Sequence, residues 1–381
     1  MSEQSVLLDA ALLVARWGWY LAVFLILGAG SYAPFLFRPR TPGDPVTPAL
    51  ADELARRAAR IGLWAALALC LIAPLKLYLQ ALTLSDPLAP FDPALFGIII
   101  DTQWGRGWRQ QATLAGLAAL AFFGAARGAS RFAWMVATAA SGWLGYATGL
   151  TGHANTAQAG PGGTFINAVH VWAGGLWLGG LAVLLLAGIG AAGKLSPELR
   201  RPVVVSLVKG FSRRALILAP LTVGFGVWLS ARYLGWGWPL RFTEAGYTLT
   251  LGGKIAVLLG VAALGAYNWR VTQPGLARNG EAGHRRLRRF GALEVLLGII
   301  LLGITALLVA LPLPPKDVAN AVTCTSDGCV GPRAEAGSGP DRPRDPGLHP
   351  WRGGGAFLPR RRSSRRAAGR PLSGVLQRPD H

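Results

Sequence analysis

Two of the five histidines sit where they could do chemistry. His153 lies in the polar turn Thr151-Gly152-His153-Ala154-Asn155, and His170 lies inside the long apolar run that follows Phe165. A neutral imidazole offers one lone pair, which suits copper, zinc or haem iron. An ionisable side chain at membrane depth is costly unless it is partnered, so it marks a functional site by default. Helical spacing sets His170, Gly174 and Trp177 on one face, and Gly175 and Gly179 form a small-xxx-small pair that lets another helix come close. Asn155 and Asn167 are candidate donors that could orient an imidazole. The plainer alternatives are histidines that hydrogen-bond across helices and asparagines that cap or fill.

These residues need helices to position them, and the composition supplies helices. The chain has 381 residues, 52% of them hydrophobic and only 15% charged, with a mean hydropathy of +0.38. A soluble domain carries about 25% charged residues. Repeated apolar runs of about 20 residues predict an all-α polytopic membrane protein of about eight transmembrane helices. The spans run Leu7 to Phe37, Ile61 to Leu84, Ala112 to Ala126, Phe132 to Leu150, Thr164 to Ala192, Phe211 to Leu234, Tyr247 to Trp269 and Phe290 to Pro312. The first run is preceded by Glu3 and Asp9 and reads as a span, not a cleavable signal.

Charge then orients the bundle. The net charge is +20. In a chain of spans this reads as loop arginines that set topology and meet lipid headgroups, not as a nucleic-acid surface. Counting residues at span edges, the loops after spans one, three, five and seven hold 19 Lys and Arg, against 4 in the intervening loops. The positive-inside rule places the first set in the cytoplasm and both termini outside. The loop carrying His153 is then on the outer side and has no Lys or Arg. A cation arriving there is expected to meet no repulsion.

Arg16, Arg232, Lys254 and Glu294 are the other charged groups near span ends. Lys254 and Glu294 could form an ion pair or a proton relay, or simply snorkel. His284, among four arginines, reads as a solvated cytoplasmic residue. No phosphate-binding glycine loop, Gly-x-Ser-x-Gly or His-Glu-x-x-His is present, so an enzyme is not expected. Residues 314–381 hold ten Gly and ten Pro with runs of arginine, and read as a disordered tail after a transmembrane domain of residues 1–313. Cys324 and Cys329 in it either form a disulfide or carry no role.

Several of these residues together resemble the copper resistance protein D (CopD) family of bacterial inner-membrane proteins. The resemblance rests on Gly152-His153-Ala154, then Asn167-x-x-His170 with Trp177-Leu178-Gly179-Gly180-Leu181. Phe211-Ser212-Arg213, Thr243, Gly246-Tyr247, Lys254, Asn268, Arg270 and Glu294 follow in order, and Thr102, Gly105 and Arg109 lie upstream. It covers about residues 7–315 and is strongest over 141–270, within a core of 141–313. It implies copper import, homeostasis or resistance at the inner membrane and a periplasmic copper-binding partner of the CopC type, and in such a membrane the outer N-terminus read from charge is periplasmic. It also implies copper held by His153 and His170 at the periplasmic face, with Asn155, Asn167, Trp177, Lys254 and Glu294 around the site or along the path. The spans hold only Met135 and Cys70 as soft ligands, which favours imidazole over a thioether path. The alternative of another class is an electron-transfer protein with one haem b between the two histidines.

Overall fold

The computed structural model describes residues 3–35, 44–86, 90–128, 131–156, 159–236, 246–278, 280–313, 323–325 and 328–330. Up to residue 313 the described chain is helical. Its helices are α1 (Glu3–Phe35), α2 (Pro48–Leu82), α3 (Ala94–Asp101), α4 (Gln103–Ala126), α5 (Arg131–Thr148), α6 (Gly163–Ala192), α7 (Pro197–Leu234), α8 (Gly246–Tyr267) and α9 (Gly280–Ala310). A π turn at Asn268–Thr272 carries α8 on into Gln273–Arg278. The chain is an all-α multi-pass membrane protein: six of these helices are long and apolar enough to cross a membrane, namely α1, α2, α6, α7, α8 with its extension, and α9. The other two expected spans, α4 and α5, are 24 and 18 residues long and pack in the same bundle, but more polar residues interrupt them.

Several helices begin earlier than the apolar runs. α2 starts at Pro48, α7 at Pro197 and α9 at Gly280, each adding charged turns ahead of its span. Pro48 follows the Thr47 cap, whose side chain accepts from the Leu50 amide. Glu53 pairs there with Arg56 and Arg57 at 3.3 and 2.8 Å. The Leu95 to Ile100 stretch, which lies in an expected loop, is the short helix α3.

α6 is the central helix. Most of it is buried, whereas α7 and α8 are largely exposed. Trp64, Leu71, Leu120, Met135, Leu249 and Leu259 point outward, as a lipid-facing surface requires. Lipid offers no hydrophobic drive between helices, so close packing and interhelical hydrogen bonds must hold the bundle. The α1–α2–α4 seam is packed with alanine, including Ala58, Ala59, Ala66, Ala115 and Ala118. The Trp17 indole donates to Ile299 O, Trp172 to Gly142 O and Trp108 to Ala73 O, at 3.0, 2.7 and 2.8 Å. At Gly179 the expected close approach occurs: a Cβ there would overlap the Phe24 carbonyl of α1. Nearby, the Tyr32 hydroxyl donates to Gly180 O. Two π turns, Gly175–Gly179 and Leu184–Ile189, lie in this part of α6.

The expected disordered tail falls almost entirely outside the described residues. Its described part is a two-stranded antiparallel hairpin, β1 (Thr323–Thr325) with β2 (Gly328–Val330), in a unit of its own. The register sets Cys324 opposite Cys329.

Candidate functional site

The turn that carries His153 is pinned from several sides. Two short 3-10 turns, Gly149–Thr151 and His153–Asn155, follow α5. Gly107 of α4 lets Leu150 come close: a Cβ at 107 would lie 2.9 Å from the Leu150 Cβ. Asn155 Nδ2 donates to Leu150 O at 3.1 Å, and Thr164 of α6 donates to Ala154 O at 3.2 Å. Fully buried Gln111 donates to Ala147 O and Thr151 Oγ1, and its Oε1 accepts from Lys76 at 3.3 Å.

Held this way, His153 turns its Nε2 to Leu311 O at 3.1 Å, with its ring edge-on to Tyr247 at 6.5 Å. A carbonyl only accepts, so Nε2 carries the proton and Nδ1 keeps its lone pair. Burial lowers the His153 pKa from its ordinary value. The Leu311 bond raises it, and the Arg16 charge lowers it further. The imidazole is therefore held neutral.

His153 lines a cavity of about 270 Å³ between the middle of α1 and the ends of α2, α4, α5 and α9. Arg16, Trp19, Lys76 and Gln80 line the same cavity. This corrects the expected cation-friendly mouth. The loop of His153 has no basic residue, but α1 and α2 bring two to it.

His170 sits elsewhere. Its Nδ1 donates to Thr222 O of α7 at 2.8 Å, which leaves Nε2 as the acceptor nitrogen. Gly226 makes room for the ring, since a Cβ there would lie 3.0 Å from His170 Cε1. Lys254 of α8 lies within electrostatic range of that ring. His170 is not among the residues lining the His153 cavity. A bis-imidazole haem needs both rings on one cavity, so that alternative gains no support.

Trp177 and Glu294 meet at a second, mostly apolar cavity of about 350 Å³, together with Asn268 and Arg270. Glu294 is buried and accepts from Asn268 Nδ2 at 3.0 Å, while Thr272 donates to Asn268 Oδ1 at 3.2 Å. The Lys254–Glu294 ion pair does not occur. Among the described residues, ion pairs join Glu53 to Arg56 and Arg57.

The structure thus divides the expected site into three places: His153, then His170 with Lys254, then Trp177 with Glu294. The side chain of Asn155 closes its own loop instead of orienting an imidazole. Asn167 packs on Gly149, where a Cβ would lie 2.8 Å from its Nδ2. Gln111, Trp19 and Lys76 have no motif to announce them. Their signal is a polar or charged residue inside an apolar segment. Among the described residues no group of three His, Cys, Asp or Glu could hold a metal. Each of the two separate imidazoles offers one ring nitrogen as a lone pair.

Residues 7–164 match the model described as copper resistance protein D-like, N-terminal domain, and residues 205–308 match copper resistance protein D. No curated protein and no solved structure matches the chain. The two family matches together span well over half of the sequence, from α1 to α9, and the chain belongs to the copper resistance protein D family.

Proposed function

We propose that this protein handles copper at the bacterial inner membrane, in import, homeostasis or resistance, without enzymatic activity. His153 and His170 are its copper ligands. The observation that carries this reading is the state of the two rings. Each donates one nitrogen to a backbone carbonyl and so presents the other as a lone pair. Imidazole suits copper, and a ring fixed by a carbonyl on its far nitrogen is an oriented ligand.

The copper path starts at His153 on the periplasmic side, with the N-terminus also outside and eight helices crossing. The arginine-rich early turns of α2, α7 and α9 support this orientation. His170 lies seven residues into α6, roughly 10 Å deeper along the axis. Lys254 and Glu294 act further along, in conformational change or proton coupling, and Trp177 walls the second cavity. A periplasmic copper-binding protein of the CopC type delivers the ion to the His153 face.

The test is cell-associated copper in strains that lack or overproduce the protein. The wild-type gene is expected to change it, and His153→Ala/His170→Ala, expressed to the same level, is expected not to. Copper content unaffected by deletion and by overproduction would overturn the reading.

A further inference from the structure

The cavity beside His153 has a charge that copper handling does not explain. Arg16 and Lys76 line it, and no Asp or Glu does. Neither cation has a carboxylate within 4.0 Å among the described residues. Lys76 is buried and lies 4.3 Å from the Trp19 ring centroid, with Gln111 Oε1 as a hydrogen-bond acceptor. The Arg16 charge lies within electrostatic range of Lys76 and of His153, both of which line the cavity. Trp19 is 1% exposed, and its indole N–H has no acceptor among the described residues.

Two cations and a buried orphan donor around one cavity are costly without a negative partner. Guanidinium is the side chain suited to a planar two-oxygen anion. The Thr151 hydroxyl lines the cavity and accepts from Gln111, so its own proton can be donated to the same oxygens, whereas Thr148 and Thr156 already donate to Leu144 O and His153 O.

We propose that this cavity is a binding site for a small oxyanion, a phosphate or a carboxylate. Arg16 binds two of its oxygens, Lys76 supplies the second charge and Trp19 N–H donates a further bond. The site stands apart from the copper reading, because anion binding is measured on metal-free protein.

The test is calorimetric titration of inorganic phosphate, and separately acetate, into metal-free protein in a non-ionic detergent, at constant ionic strength. Saturable binding is expected for wild type. Arg16→Gln should weaken it at least tenfold. Trp19→Phe, which keeps the ring and removes the donor, should weaken it severalfold while the protein still elutes as a folded monodisperse species. Chloride, which cannot accept two parallel donors from one guanidinium on separate oxygens, should bind more weakly than phosphate.

Repeating the titration in nanodiscs of phosphatidylglycerol and in nanodiscs of phosphatidylcholine separates the sources of the anion. Loss of phosphate binding only in the anionic discs assigns the site to a lipid headgroup. Equal binding in both assigns it to a free anion. No saturable binding of either oxyanion in detergent, or binding that Arg16→Gln and Trp19→Phe leave unchanged, would overturn the proposal.

Discussion

Replacing Gly179 with alanine should separate the two central helices. The new Cβ would lie 2.6 Å from the Phe24 carbonyl carbon and overlap its oxygen, both backbone atoms of α1. Backbone cannot rotate away as a side chain can, so α1 must retreat by about 1 Å to restore normal contact. That movement loosens the packing of Gly28 on Gly179 and stretches the Tyr32 hydroxyl bond to Gly180 O. Overpacking of this kind costs about 1–3 kcal/mol, and a lost hydrogen bond about 1 kcal/mol more. Gly116→Ala on α4 is the control, because a Cβ there meets nothing within 4 Å. Relief of glycine's backbone freedom should stabilise that variant by roughly 0.5–1 kcal/mol. The two Gly→Ala changes should therefore have opposite signs in unfolding followed by circular dichroism in mixed micelles. Gly179→Ala as stable as wild type would refute the close-approach reasoning.

Other perturbations address the polar residues. Arg16→Gln removes a charge that lowers the His153 pKa. The pKa should rise, so the acid limb of copper binding should move to higher pH, because His153 must be neutral to bind. Well above that limb, the same variant should bind copper more tightly, since a repelling cation is gone; equilibrium competition with a chelator across pH measures both effects. Glu294→Gln keeps an oxygen for Asn268 but cannot ionise. It should leave thermal stability nearly unchanged and remove any difference between copper uptake at acidic and at alkaline external pH.

Much of the bundle was legible in the order of apolar and charged residues. The apolar windows marked α1, α2 and α6 to α9, and the small-xxx-small pair at Gly175 and Gly179 marked the close approach to α1. Helix starts were less legible. The early turns of α2, α7 and α9 carry charge, so they add no hydropathy while still forming helix. The π turns of α6 have no sequence signature.

The site was legible by residue type but not by grouping. His153 and His170 do present an open ring nitrogen each, yet they contact carbonyls far apart in the chain, Leu311 just after α9 and Thr222 in α7. Spacing within one segment cannot show which distant carbonyl a ring will meet. The cationic cavity was hidden for the same reason. Arg16 and Lys76 are sixty residues apart, and only the packing of α1 against α2 brings them to one wall with Trp19.

The most direct test of the copper assignment is metal content and the visible spectrum of detergent-purified protein, with His153→Ala/His170→Ala prepared alongside. Copper bound by wild type and lost from the folded double variant, with no Soret band in either, is the expected result. Equal copper in both proteins would place the metal elsewhere. A Soret band lost in the variant would mean that the histidines hold haem.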